Sequence, residues 1–314
     1  MPLRLLISIP IVVAIFAFNV VTLPLQFAIG YIVSITTRYT TAVQAICFYQ
    51  GFFVLEIVGI LRLLWVRLRY FNPAKRLQGN YGVQYWWGQS LCRMGTKLYN
   101  LTFKVSGREA IEGPSAILVS RHASIGDNVL PLVYFGIRRK EPLRYILKKE
   151  LMWLPTLGWG GSALPNLFVD RSGTNTEKEL EAVGELVTTT TEKESVLIYP
   201  EGTRFSRAKQ KALSLKPELK AQIERWPDLL PPRLGGIGRM LNVNPGKDVV
   251  FLCHSGFEPS ASLPDLANGG WLGQTIHLHF WRVPYAEIGS DVQAFIFDQW
   301  DEMQVRVRQL RGDA

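Results

Sequence analysis

The chain has 314 residues, 47% of them hydrophobic, and 35 Lys and Arg against 26 Asp and Glu give it a formal net charge of +9. That length holds one large domain and an appendage, and the basic excess suits an anionic partner: phospholipid headgroups, a phosphorylated substrate or a coenzyme A donor. Cys47, Cys92 and Cys253 are few and widely separated, so they read as reduced packing residues rather than a disulfide framework, and the absence of zinc spacings or other nucleic-acid signatures argues against a nucleic-acid partner.

The chain begins with an apolar segment. No charged residue occurs from Leu5 to Thr37, a run longer than the roughly 20 residues needed to cross a bilayer core and too long for the apolar region of a signal peptide. Pro10 and Pro24 are expected to kink it. A second apolar run, Thr41 to Leu61, carries Glu56 near its end, a residue that is costly at mid-bilayer. A second spanning helix is expected there, with a re-entrant or surface-lying helix as the alternative. Arg62, Arg67, Arg69, Lys75 and Arg76 follow, whereas only Arg38 lies between the two runs, so the positive-inside rule puts the downstream domain on the cytoplasmic side. Residues 1–70 thus form an expected membrane-anchoring hairpin. Residues 71–80 read as a linker. In residues 82–100, Trp86, Trp87, Leu91, Met94 and Leu98 make a rough helical stripe, which fits either an interfacial helix or one packed on the domain.

From residue 101 to 314 short apolar runs alternate with helical stretches. Strands are expected at 101–106, 116–120, 143–147, 166–169, 195–199, 248–253 and 275–283, and helices near 127–136, 174–192 and 290–311. This alternation predicts an α/β domain with a central, mostly buried sheet flanked by helices. The basic segment between Arg204 and Lys247, rich in Pro and Gly, reads as a loop.

Two boxes carry the chemistry. The first, Arg121-His122-Ala123-Ser124-Ile125-Gly126-Asp127, follows the buried strand Ala116–Ser120. The second, Glu201-Gly202-Thr203-Arg204, follows the strand Ser195–Tyr199. Histidine titrates near neutrality and is the natural base for activating a hydroxyl. Asp127 is placed to hold the His122 ring in one tautomer, as in a serine-protease triad. Five positions do not align on a regular helix, so the box is expected at a strand-to-helix turn with Gly126 easing the bend. In the second box Gly202 permits a close backbone approach, Arg204 offers a planar fork suited to phosphate, and Glu201 orients Arg204 or pairs with another cation. His277 and His279 alternate with apolar residues and read as the polar face of one strand. His254 follows the apolar run Val249–Leu252 and is a weak candidate for lining the site. No set of ligands for a metal is apparent.

The order and separation of the two boxes resemble the glycerolipid acyltransferase family, whose best-known members are the 1-acylglycerol-3-phosphate acyltransferases. Leu164-Pro165-Asn166-Leu167-Phe168-Val169-Asp170-Arg171 is similar to that family's apolar strand ending in Asp-Arg. Lys148-Lys149-Glu150-Leu151 and Pro155–Trp159 are similar to its Lys-rich turn and Pro-to-Gly connector. The likeness runs from about Ile117 to Gly236. It implies a membrane-bound enzyme with a glycerol-3-phosphate acyltransferase-like fold. Such an enzyme moves an acyl chain from acyl-CoA or acyl carrier protein to a lysophospholipid, with lysophosphatidic acid as the first choice and phosphatidic acid as product. It also implies that His122 is the base and Asp127 its partner, and that Arg171, Glu201, Gly202, Thr203 and Arg204 bind the acceptor. Neither a covalent acyl-enzyme nor a metal or other cofactor is required, and a bacterial inner membrane is favoured over the endoplasmic reticulum.

The chain departs from the pattern in two places. Arg121 stands where Asn is usual, adding a charge that by itself lowers the pKa of His122 or that contacts donor phosphates. Val249 to Pro259 matches the family's fourth box poorly. The acceptor alternatives are lysocardiolipin, another lysophospholipid, glycerol 3-phosphate, and an ornithine lipid or lipid A precursor. A non-catalytic membrane lipid-binding protein is the rival from another class.

Overall fold

The computed structural model describes residues 3–170, 176–260 and 262–313. Seven strands are present: β1 Thr102–Ser106, β2 Ala116–Ser120, β3 Leu143–Lys148, β4 Leu167–Val169, β5 Ser195–Ile198, β6 Asp248–Ser255 and β7 Thr275–Val283. They form one sheet in the order β1-β7-β6-β2-β5-β3-β4. Neighbours run parallel except β6 and β7, which are antiparallel. Every residue of β2 and β5 is buried, as continuous apolar runs require of central strands covered on both faces. β7, one strand in from the edge, alternates buried and half-buried residues along most of its length.

Nine helices flank or precede the sheet among the described residues: α1 Leu3–Thr36, α2 Ala42–Arg69, α3 Pro73–Tyr99, α4 Ile137–Arg139, α5 Thr176–Thr188, α6 Arg207–Ser214, α7 Pro217–Arg225, α8 Leu234–Asn242 and α9 Val292–Arg311. The period of two along β2 divides the core. Ile117 and Val119 face Val183 and Val187 of α5, Met240 of α8 and Trp300 of α9, while Ala116 and Leu118 face Tyr99 of α3, Leu130 and Phe135. Trp300 is fully buried, and its removal would cost about 3–5 kcal/mol.

The strands lie within two residues of their expected bounds. The helices differ more. Residues 71–80 are not a linker but largely the start of α3: Asn72 accepts hydrogen bonds from the amides of Ala74 and Lys75, and Pro73 occupies the first turn, a strong helix-starting pair. The segment read as a loop holds α6, α7 and α8. Ser206 caps α6 by accepting from the Lys209 amide, and Pro217 opens α7. The glycine-rich α8 is helical because Ile237, Met240 and Leu241 bury one face, and packing overrides weak propensity. The helix expected near 127–136 is present with mixed geometry: a 3-10 turn, Gly126–Val129, leads through one turn containing the π-helix Leu132–Gly136 into α4.

α1 continues through Pro10 and Pro24 and is long and apolar enough to cross a membrane by length and composition. It pairs antiparallel with α2, where Gln50 donates to Gln26 Oε1 across 2.7 Å. α2 is docked on the domain along its length. Thr41, just before it, donates to the Leu266 carbonyl. Glu56 accepts from the Thr156 amide at 3.0 Å and from Trp87 Nε1 at 3.1 Å. Val66 packs on Val83 of α3. The protein thus supplies Glu56 with the donors that it would lack in lipid.

Candidate active site

His122 and Asp127 meet. The ladder between β2 and β6 continues one residue past β2, with the Arg121 amide donating to the Leu252 carbonyl at 3.0 Å. Successive side chains then leave on opposite sides. Arg121 enters the interior, and His122 turns into a cavity with its side chain 15% exposed. The chain turns back at once, and His122 Nδ1 lies 2.9 Å from Asp127 Oδ1. The other carboxylate oxygen of Asp127 accepts the amides of Ala123 at 2.5 Å and Ser124 at 2.7 Å. Gly126 is required for packing: a Cβ there would come within 2.9 Å of the Phe257 ring and 3.0 Å of Trp271.

Burial would raise the Asp127 carboxyl, but the charge and hydrogen bond of His122, with His254 in support, hold it well below the ordinary range. Asp127 is thus an anion, placed to accept a hydrogen bond from Nδ1 in the tautomer that carries its proton there. The His122 ring lies over Tyr199, with centroids 4.6 Å apart, and the Tyr199 hydroxyl donates to the Asp127 carbonyl.

The second box reaches the same place. Gly202 takes φ +69°, a left-handed conformation that favours glycine. Glu201 turns inward with 2% exposure. It accepts the His122 amide at 2.7 Å and the Leu230 amide at 3.1 Å. It is placed to hold the two boxes together. Burial pushes its carboxyl up to about 7, against the pull of Arg121 and of its two amide donors. Thr203 and Arg204 do face the cavity, together with Lys148. Arg171 lies outside the described residues. Its neighbour Asp170 pairs with Lys149 across 2.9 Å.

The cavity has a volume of about 720 Å³, with His122, Lys148 and Arg204 among its polar lining and Phe52, Trp87 and Leu91 among its apolar lining. The hairpin and α3 therefore supply part of its wall.

Sequence reasoning named Arg121 and His254 but not the places they take behind the histidine. Arg121 is fully buried and donates to Glu258 at 2.6 Å and to the carbonyls of His254 and Asp228. It is thus out of reach of donor phosphates, and Glu258 balances its charge. Glu258 also pairs with Arg311, and Asp228 with Arg207, Arg308 and Arg311. His254 is buried and lies 3.4 Å from Asp127 Oδ2 and 3.2 Å from the Arg121 carbonyl. Its place at the end of an apolar run adjoining β2 was the available signal. His277 and His279 lie on β7 away from this cluster, with His279 against Ser106 at 2.9 Å. No group of three metal-ligating side chains occurs among the described residues.

Residues 102–236 match the family model described as Acyltransferase. A 1-acyl-sn-glycerol-3-phosphate acyltransferase of Pseudomonas aeruginosa is 28% identical over 172 residues, covering 52% of this chain and 60% of its own length. The enzyme of the same description from Limnanthes douglasii is 32% identical over 153 residues, covering 47% of each. The chain thus spans between about half and three fifths of the length of these curated relatives. The crystal structure of a 1-acyl-sn-glycerophosphate (LPA) acyltransferase from Thermotoga maritima superposes with a TM-score of 0.57 at 16% identity, over 85% of this chain and 97% of that one. At that identity the likeness is one of fold.

Proposed function

From the premise that residues 102–236 belong to the Acyltransferase family, we propose that the chain transfers a fatty acyl group from a thioester, acyl-CoA or acyl carrier protein, to the free hydroxyl of lysophosphatidic acid. The observation that carries this reading is the His122–Asp127 pair facing one large, mainly apolar cavity that also presents Lys148 and Arg204. An apolar chamber suits an acyl chain, a cationic wall suits a phosphate, and a base between them suits the hydroxyl that must react.

In the proposed reaction His122 Nε2 takes the proton from the acceptor hydroxyl as the oxygen attacks the thioester carbonyl. Asp127 holds the Nδ1 proton and stabilises the imidazolium that forms. The tetrahedral intermediate collapses with cleavage of the C–S bond. The leaving sulfur takes the proton back from Nε2, giving the ester, a free thiol and the starting form of His122. No acyl-enzyme forms and no cofactor takes part. The outward face of α1, including Phe18 at 67% and Val21 at 79% exposure, attaches the enzyme to a bilayer. The basic run Arg62–Arg76 keeps the domain on the cytoplasmic side.

The test is acyl transfer from labelled acyl-CoA, and in parallel from acyl carrier protein, to lysophosphatidic acid in mixed micelles. His122→Ala should lower the rate on the order of 10²–10⁴-fold, the usual worth of a general base, and leave membrane association intact. Turnover equal to that of the wild type in His122→Ala would overturn the assignment of the base. A wild type inert towards lysophosphatidic acid with both donors would overturn the acceptor.

A further inference from the structure

A second cavity, of about 440 Å³, lies where the end of α2 meets the start of α3, lined by Leu63, Arg67, Arg76, Leu77, Asn80 and Trp159 among others. It contains neither His122 nor any residue of the second box, and Asn80 borders both cavities. Among the described residues the side chains of Arg67, Arg76 and Asn80 have no partner, although Asn80 is only 7% exposed. The neighbouring cations are engaged differently, Arg62 over Trp86 and Arg69 over Tyr70. Two guanidinium groups and an amide lining one cavity suit an anion.

The surroundings say which anion. Trp65, Leu68 and Phe71, which flank Arg67 and Arg69, are 64%, 63% and 87% exposed. Apolar side chains left in water among arginines and Lys75 describe a surface lying at headgroup level, where cations attract acidic lipids. A small soluble anion would have no use for them.

We propose that this cavity binds an acidic phospholipid. The phosphate lies between Arg67 and Arg76, Asn80 donates to a glycerol or ester oxygen, and the acyl stem runs along Leu63, Leu77 and Trp159. The site is separate from the transfer reaction, and its occupancy does not depend on His122.

The probes are labelled dihexanoyl-phosphatidylglycerol, dihexanoyl-phosphatidylcholine and inorganic phosphate. Each is titrated by equilibrium dialysis against the full chain in dodecyl maltoside. Phosphatidylglycerol should bind saturably to the wild type and to His122→Ala alike. Arg67→Gln with Arg76→Gln should weaken binding about fivefold per arginine, roughly 30-fold for the pair, and Asn80→Leu should weaken it as well. The control pair Arg69→Gln with Lys75→Gln, which removes equal charge outside the cavity, should bind as the wild type does. Undiminished binding by the Arg67/Arg76 variant would overturn the site, and equal weakening in the control pair would reduce it to diffuse surface charge. Phosphatidylcholine or inorganic phosphate binding as tightly as phosphatidylglycerol would overturn the assignment to an acidic lipid.

Discussion

The backbone amide of His122 donates to Glu201 Oε1 across 2.7 Å, so the acid of the second box sets the position of the histidine of the first. With its carboxyl pushed from an ordinary 4.5 to about 7 by burial, Glu201 binds more protons folded than unfolded. Its contribution to stability is therefore full below the unfolded value and declines as pH rises through the folded one. Wild type should lose roughly 1 kcal/mol per pH unit relative to Glu201→Gln between those values, read as thermal unfolding in detergent at several pH values. Asp127 and Glu258, held low, titrate below this window. The depressed His279 acts in the opposite sense near its upper end, and the comparison with the variant removes it. A pH-independent difference would rule out titration of Glu201 in this range.

Asp127→Asn keeps the shape of the turn and removes the acceptor that fixes the His122 tautomer. The rate should fall on the order of 10³-fold, with a smaller effect on acceptor KM. Steady-state kinetics of the variant beside the wild type decide this, and a loss confined to KM would mean that Asp127 serves binding.

His254, 3.4 Å from Asp127 Oδ2, is a positioning residue by geometry. His254→Ala should lower kcat about tenfold, on the order of 1.4 kcal/mol of transition-state stabilisation, with KM unmoved. Restoration of kcat by His254→Gln, which offers a comparable donor, would separate positioning from a packing defect.

The fully buried Arg121 pairs with the half-buried Glu258 at 2.6 Å. Glu258→Ala strands the buried guanidinium and should destabilise the fold by about 3–5 kcal/mol, whereas Arg121→Ala leaves Glu258 paired with Arg311 and should cost less. The double variant should cost less than the sum of the two. Unfolding midpoints of the three variants provide the cycle, and strict additivity would mean that the pair is not coupled.

Arg204 lines the wall of the cavity that holds His122. Arg204→Ala should raise the acceptor KM by one to two orders of magnitude, about 1.5–3 kcal/mol for a hydrogen bond to a charged group, with a smaller change in kcat. An unchanged KM would remove Arg204 from phosphate binding.

The strands were legible because buried parallel strands read as plain apolar runs, and β2 and β5 have no competing pattern. The pairing of His122 with Asp127 was legible because both lie in one short turn, where sequence distance limits spatial distance. The role of Glu201 was not. Its partners are backbone amides, which carry no side-chain signature, where a pairing with Arg204 or another cation was expected. Arg121 misled for a different reason: its partner Glu258 lies far along the chain and comes close through the pairing of β2 with β6. In α8 glycines suggested a loop, and only the tertiary face it buries makes it a helix.

The pairing of Ser120 with Leu252 has a consequence for how the protein is made. At the usual pace of a ribosome, Leu252 emerges on the order of ten seconds after Ser120. Throughout that interval β2, apolar in four of its five residues, has an unpaired edge, while the α1–α2 hairpin that walls the cavity is already outside. The early hairpin can reach a lipid surface long before there is a site to serve. The nascent domain then has to keep an open, sticky strand edge from meeting another chain until β6 arrives to cover it.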